Sequence, residues 1–308
     1  MRVATRGSAL ARWQAERVLE LLGGDGELVV VMTSGDQQSD VPLHTIGGTG
    51  VFVKEVQEAV LDGRADVAVH SAKDLPADTP EGLVLAAFPE RGDPRDALVG
   101  AALDALPSGA VVATGSVRRR AQLAARRFDL GFAELRGNMQ TRLGKAADFD
   151  AIVVAAAALD RLGLADRIAS RLSFADMLPQ VGQGALAVEC RTDDEVTRAR
   201  LAEIDDADVR DAVTAERSFL GRLGSGCSLP VAAHARTVPG GDGAGPEHRG
   251  RAVAIEGLVA SYDGARVSRT AMTASEPTQA GELLADALQQ TFGDQQAFGD
   301  QQTFGGVT

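Results

Sequence analysis

Short apolar runs recur along the chain, and each is followed by a small polar turn and a segment with helix-like spacing of apolar positions. Residues 1–5 (MRVAT) lead through a turn at 6–8 into residues 9–22, where Leu10, Trp13 and Val18 roughly follow helical spacing. The same alternation begins at ADVAVH, AVVATGS, AELRGN and AIVVAAAAL. Strands that alternate with helices predict the α/β class, with parallel sheets covered by helices. Ligands of such sheets bind at the carboxyl ends of the strands, where these turns lie.

The turns concentrate basic and hydroxyl side chains. Helix N-termini present unpaired N–H groups and partial positive charge, and arginine adds bidentate recognition of carboxylate or phosphate. A single arginine in such a place is more often a solvated surface charge. Recurrence at the same structural position favours a large or multiply charged anionic ligand. The residues concerned are Arg6, Ser8, Ser71, Lys73, Thr114, Ser116, Arg118, Arg119, Arg136, Asn138, Arg142 and Arg161.

Asp74 is a carboxylate within this basic set, in the sequence HSAKDLP. It fits a turn or N-cap residue that forms a solvated pair with Lys73. It fits equally well a carboxylate that stabilises a developing cation or shuttles a proton while the arginines hold the ligand.

The two cysteines have different contexts. Leu186, Val188 and Cys190 share one face of a predicted strand, which predicts a buried thiol. Cys227 lies in the glycine-rich sequence GSGCSLP, after an amphipathic helix that Gly224 is expected to end. That context fits an inert loop cysteine as well as one with a chemical role.

Composition narrows the class of protein. The 308 residues predict two or three domains, and the net charge of -12 argues against nucleic acid as a partner. No apolar run approaches a membrane span, and arginines interrupt the N-terminal stretch where a signal peptide needs apolar residues. A cytoplasmic protein without a disulfide is therefore expected. The four histidines lack metal-ligand spacing, so no metal is expected.

Eight ordered segments resemble the porphobilinogen deaminase family, also called hydroxymethylbilane synthase, of tetrapyrrole biosynthesis. Their order and approximate spacing agree with the family from residue 1 to about residue 290. The segments are VATRGSALARWQA, GGTGVFVKE, ADVAVHSAKDLP, ATGSVRRRAQL, LRGNMQTRL, DRLGL, VGQGALAVEC and GSGCSLP.

The resemblance implies a transferase that condenses four porphobilinogen molecules head to tail, with loss of ammonia, onto a tethered dipyrromethane. Hydrolysis then releases hydroxymethylbilane. The resemblance also implies that Cys227 carries the dipyrromethane cofactor through a thioether and that the protein is a monomer. Each pyrrole bears an acetate and a propionate, so the basic turns acquire a polycarboxylate ligand.

The same resemblance assigns roles to individual residues. Asp74 is implied as the catalytic carboxylate, which assists ammonia loss and stabilises the cationic substrate. The implied cofactor-binding residues are Cys227, Lys73, Ser116, Arg118, Arg119 and Asp74. The implied substrate-binding residues are Arg6, Ser8, Gln14, Phe52, Thr114, Arg136, Arg142, Arg161 and Gln183.

The family fold implies three α/β domains. Domain 1 is expected at residues 1–90 completed by 184–204, and domain 2 at 91–183, both resembling periplasmic binding proteins and joined by a hinge. A smaller domain 3 at 205–290 carries the cysteine. Residues 291–308 repeat a six-residue unit, FGDQQ(A/T), which predicts a disordered tail.

Four positions depart from the family pattern. Thr45 and Thr49 stand where lysines are common, Ser34 stands where arginine is common, and Gly115 replaces a usual serine. The first three changes remove positive charge from the loop that the resemblance implies as a contact of the growing product.

Two other functions fit part of the sequence. A two-lobed anion-binding module explains the basic turns but leaves Cys227 and Asp74 without a role. A different cysteine-nucleophile transferase needs a base or a positive field close to Cys227. The chemical identity of any adduct on Cys227 distinguishes these possibilities.

Overall fold

A computed structural model describes residues 1–33, 52–224, 230–240 and 251–293. The strands are β1 (Arg2–Arg6), β2 (Glu27–Val31), β3 (Val67–Ser71), β4 (Leu83–Ala87), β5 (Asp96–Gly100), β6 (Val111–Ala113), β7 (Gly131–Ala133), β8 (Ala151–Ala155), β9 (Ser170–Arg171), β10 (Leu186–Arg191), β11 (Val231–Pro239), β12 (Arg251–Ala260) and β13 (Val267–Ala274). The α-helices are α1 (Ala9–Leu21), α2 (Lys54–Leu61), α3 (Val117–Arg126), α4 (Met139–Gly144), α5 (Ala156–Arg161), α6 (Glu195–Ala202), α7 (Ala207–Arg222) and α8 (Pro277–Phe292).

The first sheet has the strand order β2-β1-β3-β10-β4. Strands β1, β2 and β3 are parallel, whereas β10 runs antiparallel to both β3 and β4. Successive residues of β1 point to opposite faces. Val3 packs in a core with α1 residues such as Val18, and Ala4 packs with Val56 of α2. Both faces of the sheet are therefore covered.

The second sheet has the order β7-β6-β8-β5-β9, with β6 parallel to β7 and β8. Strand β5 is antiparallel to β8 and β9. Leu98 and Val153 pack with Leu123 of α3 on one face, and Ile152 packs with Leu159 of α5 on the other.

The chain passes between these sheets twice, from β4 to β5 and from β9 back to β10. The two crossing segments are bonded to each other: Arg91 and Ala185 form a β-bridge, and Gly92 N donates to Gly184 O at 3.0 Å. The sheets therefore share a two-stranded connection.

The third sheet, β11-β12-β13, is entirely antiparallel. Helices α7 and α8 cover one face, where Phe219, Ile255 and Leu284 form a core. The opposite face packs against the second sheet's layer through Leu258, Leu178 and Ala121 of α3. The third sheet with α7 and α8, called the third unit below, therefore packs against α3, the helix that follows β6.

The α/β class is confirmed, and so are two local predictions. Cys190 is buried in β10 together with Leu186 and Val188, and α7 ends before Gly224, whose φ of 66° suits glycine. The division at residues 90, 183 and 204 stays a prediction.

Four local predictions were wrong. The first two sheets are mixed rather than parallel, because β5 and β10 enter them in the opposite direction. The strand predicted in AELRGN ends at Ala133, and the apolar run AIVVAAAAL becomes helical from residue 156 because its alanines favour a helix. The disordered tail was predicted to start at residue 291, but residues 291 and 292 belong to the last turn of α8, and the Phe292 ring is buried. Residues 294–308 lie outside the described part.

Candidate functional site

The turns that follow β1, β3, β6 and β7 hold many of the predicted site residues. Ser8, Ser116 and Asn138 are N-cap residues, and each accepts a hydrogen bond from the backbone N–H three residues later, at 3.3, 3.5 and 3.0 Å. The Thr114 hydroxyl accepts one from the backbone N–H of Ser116 at 3.2 Å. These polar side chains therefore fix the turns in which the basic residues lie.

Arg118 and Arg119 are buried around one carboxylate, that of Asp96 at the start of β5. Arg118 Nη1 donates to Asp96 Oδ2 at 2.8 Å, and Arg119 Nε donates to Asp96 Oδ1 at 2.9 Å. Burial alone raises the pKa of Asp96, but the two arginines outweigh it and hold that pKa well below its usual range. One carboxylate thus balances two guanidinium groups, which leaves an excess positive charge.

Arg118 also has unused donors. Its Nη1 reaches Leu178 O at 2.7 Å as well as Asp96, but its Nε and Nη2 are buried without a hydrogen-bond partner among the described residues. Leaving charged donors unsatisfied is costly. A bound carboxylate would satisfy them.

Gln183 connects this pair to Lys73. Its side-chain oxygen accepts from Lys73 Nζ at 3.4 Å, and its Nε2 donates to Asp96 Oδ1 at 3.0 Å and to Pro94 O at 2.8 Å. Burial, together with the charges of Arg119 and Arg142, lowers the pKa of Lys73 to about 8, against a raising effect of Asp74. Lys73 is therefore an ammonium in a site already rich in positive charge.

Arg142 and Arg161 add to this excess charge. Burial first, and then repulsion from Arg119 and Arg136, lowers the pKa of Arg142 to about 10. Burial also lowers the pKa of Arg161, whose Nη2 donates to Gly184 O at 2.7 Å and whose guanidinium lies 5.4 Å from the Trp13 ring centroid. In both groups the effect of burial on the pKa outweighs that of the neighbouring acids.

Arg6 and Phe52 are in contact, with the Arg6 guanidinium carbon 4.2 Å from the centre of the Phe52 ring. Arg6 ends β1, and Phe52 precedes α2. Gln14 is buried in α1. Arg136 Nε lies 2.6 Å from Glu134 Oε1.

Asp74 closes a short 3₁₀ turn, Ala72–Asp74, directly after β3. Its side chain is partly exposed, and its charge raises the pKa of both Lys73 and Arg142. The carboxylate therefore lies within electrostatic reach of the cationic groups from both sheets.

Cys227 lies outside the described residues, in the segment between Gly224 after α7 and Pro230 before β11. Ser34, Thr45 and Thr49 also lie outside the described residues, in the segment between β2 and α2. The described side chains nevertheless fit a dipyrromethane. That group carries four carboxylates, and the cluster of Lys73, Arg118, Arg119 and Arg142 supplies excess positive charge. Within it, Arg118 Nε and Nη2 have no hydrogen-bond partner among the described residues.

Sequence reasoning missed Asp96 and Glu134, two acids that contact the site arginines. Asp96 begins an apolar strand rather than following one, so it was not at the strand end where ligand residues were expected. Its one sequence signal is an acid directly before the apolar run ALVG.

The described residues contain no group of three or more His, Cys, Asp or Glu side chains that could hold a metal ion. No helix in that part of the chain is long and apolar enough to cross a membrane.

Two family models match the chain. "Porphobilinogen deaminase, dipyromethane cofactor binding domain" matches residues 1–199, and "Porphobilinogen deaminase, C-terminal domain" matches residues 211–290.

Similar proteins carry the same description. A porphobilinogen deaminase of Syntrophus aciditrophicus is 48% identical over 273 residues, which is 85% of this chain and 86% of the relative. One of Brevibacillus brevis is 44% identical over 297 residues, or 93% of each chain.

Among solved structures, the VFT2 domain of BvgS from Bordetella pertussis aligns with 71% of this chain and 91% of its own, at 18% identity and a TM-score of 0.40. A likeness this weak carries no argument. The predicted resemblance of the first two domains to periplasmic binding proteins therefore stays a prediction.

Proposed function

The chain belongs to the porphobilinogen deaminase family and is a transferase of tetrapyrrole synthesis, and from this premise we propose which residues hold the cofactor and the substrate. Its matched domain binds a dipyrromethane. We assign the covalent attachment of that cofactor to the Cys227 thiol, as a thioether. When bound, the dipyrromethane supplies the pyrrole end onto which substrate units are added.

The observation that supports this assignment most strongly is the excess of buried positive charge. Arg118 and Arg119 share one direct counter-charge, Asp96, and Arg118 Nε and Nη2 have no hydrogen-bond partner among the described residues. Carboxylates of the cofactor would satisfy these groups through charge-assisted hydrogen bonds. Ser116 holds the turn that positions Arg119.

The remaining residues that the resemblance implies are assigned to substrate binding, and the arginines among them are assigned to the substrate carboxylates. These residues are Arg6, Ser8, Gln14, Phe52, Thr114, Arg136, Arg142, Arg161 and Gln183. Arginine forks bind the acetate and propionate groups in fixed orientations, and Gln183 joins the two sheets at the crossing segment.

Asp74 is assigned to catalysis. Loss of ammonia from porphobilinogen leaves positive charge on the pyrrole, and the Asp74 carboxylate stabilises that charge and can hold a proton at an oxygen. The arginines cannot do this, because they carry charge of the wrong sign.

Mass spectrometry of the intact protein tests the proposal. We expect a mass excess equal to two condensed porphobilinogen units, mapped to the peptide with Cys227 and absent from Cys227→Ser. A wild-type protein that stays unmodified after incubation with porphobilinogen would contradict the tether and favour an anion-binding module.

We further propose that the protein acts as a monomer in the cytoplasm. The net charge of -12 supports a dispersed monomer through mutual repulsion, and Cys190 is present as a thiol. Light scattering after gel filtration should give a mass close to 32.0 kDa. Twice that value would contradict the monomer.

A further inference from the structure

Glu134 forms an ion pair with a residue assigned to substrate binding. Residues 134–136 follow β7, and within them the Glu134 and Arg136 side chains contact each other while Leu135 between them is buried. Arg136 Nε lies 2.6 Å from Glu134 Oε1. The Arg136 side chain is 17% exposed and that of Glu134 is 53% exposed. The acid therefore reaches the arginine from the solvent side.

Arg136 Nε and Glu134 Oε1 are close together, but their geometry is poor for a hydrogen bond. Arg136 Nε is buried, and no described group accepts a well-oriented hydrogen bond from it, Glu134 included. A carboxylate that approached the guanidinium in its plane could form two parallel hydrogen bonds instead. A ligand carboxylate therefore has a geometric advantage over Glu134.

Gly115 leaves the room that this arrangement needs. A Cβ atom at position 115 would lie 3.2 Å from Glu134 Oε1 and 2.7 Å from Leu135 O. A side chain there would push against both the acid and the backbone of the segment that carries Arg136. The glycine and the Glu134–Arg136 pair are therefore structurally linked.

We propose that Glu134 is an internal competitor for the substrate-binding site at Arg136. Its carboxylate stands in for an acetate or propionate of the ligand when that subsite is empty, and a ligand carboxylate binds by displacing it. This inference rests on the proposed function, in which Arg136 holds a substrate carboxylate. Glu134 thereby sets the affinity of this subsite and excludes weakly bound anions from it.

The size of the effect follows from the exposure of Glu134. Ion pairs at such half-exposed positions are weak, so their loss changes an equilibrium by only about two- to fivefold. The competitor is therefore weak enough for the substrate to displace and strong enough to be measured.

Substitution of Glu134 by Gln tests the proposal, because glutamine keeps the shape and removes the charge. In Glu134→Gln, the KM for porphobilinogen should fall about two- to fivefold while kcat does not rise. Glu134→Asp keeps the negative charge, so its KM should stay close to that of the wild type. The control is Glu256→Gln, which removes a similarly exposed Glu–Arg pair, with Arg269 Nε at 2.7 Å, from the third sheet. This control should leave KM unchanged.

A binding measurement separates this inference from the proposed function. Calorimetry with succinate, a dicarboxylate that cannot react, should show about two- to fivefold tighter binding to Glu134→Gln than to the wild type. This result would support the competitor even if the protein failed to turn over porphobilinogen. A higher KM with weaker succinate binding would overturn the proposal, because Glu134 would then orient Arg136. Unchanged values in both assays would also overturn it.

Discussion

Asp74 and Lys73 are neighbours in one turn, yet the site needs opposite charges from them. Asp74→Asn keeps the size of the side chain and removes the negative charge that opposes Lys73 and Arg142. We expect turnover to fall by about 10²–10³-fold because charge in the transition state loses its stabiliser. Rates with porphobilinogen measure this.

The matched control is Asp78→Asn, which removes an exposed carboxylate four residues later. It should retain near-wild-type turnover. Near-normal deamination by Asp74→Asn would remove Asp74 from the catalytic role.

Lys73 gives the site a dependence on pH. Its ammonium, with a pKa of about 8, is charged below that pH and neutral above it, so carboxylate binding should weaken as the pH rises through 8. We expect kcat/KM for porphobilinogen to fall roughly tenfold between pH 7 and 9.5, because one charged contact is lost.

Lys73→Arg tests the assignment of this pH dependence. A guanidinium stays charged over that range, so the alkaline fall should disappear from the variant even if its rate is lower. An identical fall in both proteins would place the titration elsewhere.

The sequence predicted the basic residues of the site but not the acidic residues that pair with them. Arg118 and Arg119 were recognisable because they follow a strand and a glycine-containing turn. Asp96, whose single negative charge pairs with both arginines, lies 22 residues before Arg118 in the chain. Contacts between separate strands depend on the topology, and local patterns do not contain it.

At the scale of single elements, the N-cap residues fix where each helix begins and therefore where its basic side chains lie. Asn138 Oδ1 accepts from Thr141 N at 3.0 Å and from Thr141 Oγ1 at 3.1 Å at the start of α4. Asn138→Ala should lower the free energy of unfolding by about 1 kcal/mol and raise KM, because α4 carries Arg142. Urea denaturation and substrate titration measure the two effects.

Asn138→Asp provides the control, since aspartate caps helices as well as asparagine does. It should keep the stability. A stable Asn138→Ala protein with wild-type KM would mean that the cap does not position Arg142.

The turns that cap these helices were visible in the sequence, as the strand, the polar turn and the start of the helix each leave a local pattern. The direction of β5 and β10 was not visible in the sequence, because an apolar strand that is buried on both faces has the same composition in either direction.

At the scale of the whole molecule, Glu216 of α7 joins the third unit to both crossing segments. Its carboxylate is fully buried and pairs with Arg91 at 2.8 and 3.2 Å, while it accepts from Gly182 N and Ala235 N, each at 2.7 Å. Glu216→Gln leaves Arg91 without its counter-charge. We expect a loss of about 3–5 kcal/mol in the free energy of unfolding and a separate transition of the third unit in calorimetry.

Glu282→Gln on α8 is the matched control, because that side chain is exposed and its loss should leave the transitions unchanged. A single cooperative transition in Glu216→Gln at the wild-type temperature would show that the apolar contacts alone hold the units together.

The paired crossing segments would form the axis of any rotation between the first two sheets. Any rotation of one sheet against the other about the ladder at Arg91 and Ala185 moves each group in proportion to its distance from that axis. Strands are spaced about 5 Å apart. Asp74 follows β3, one strand from β10, whereas Arg136 follows β7, three strands from β5. A rotation of a few degrees would therefore move Asp74 only about one third as far as Arg136.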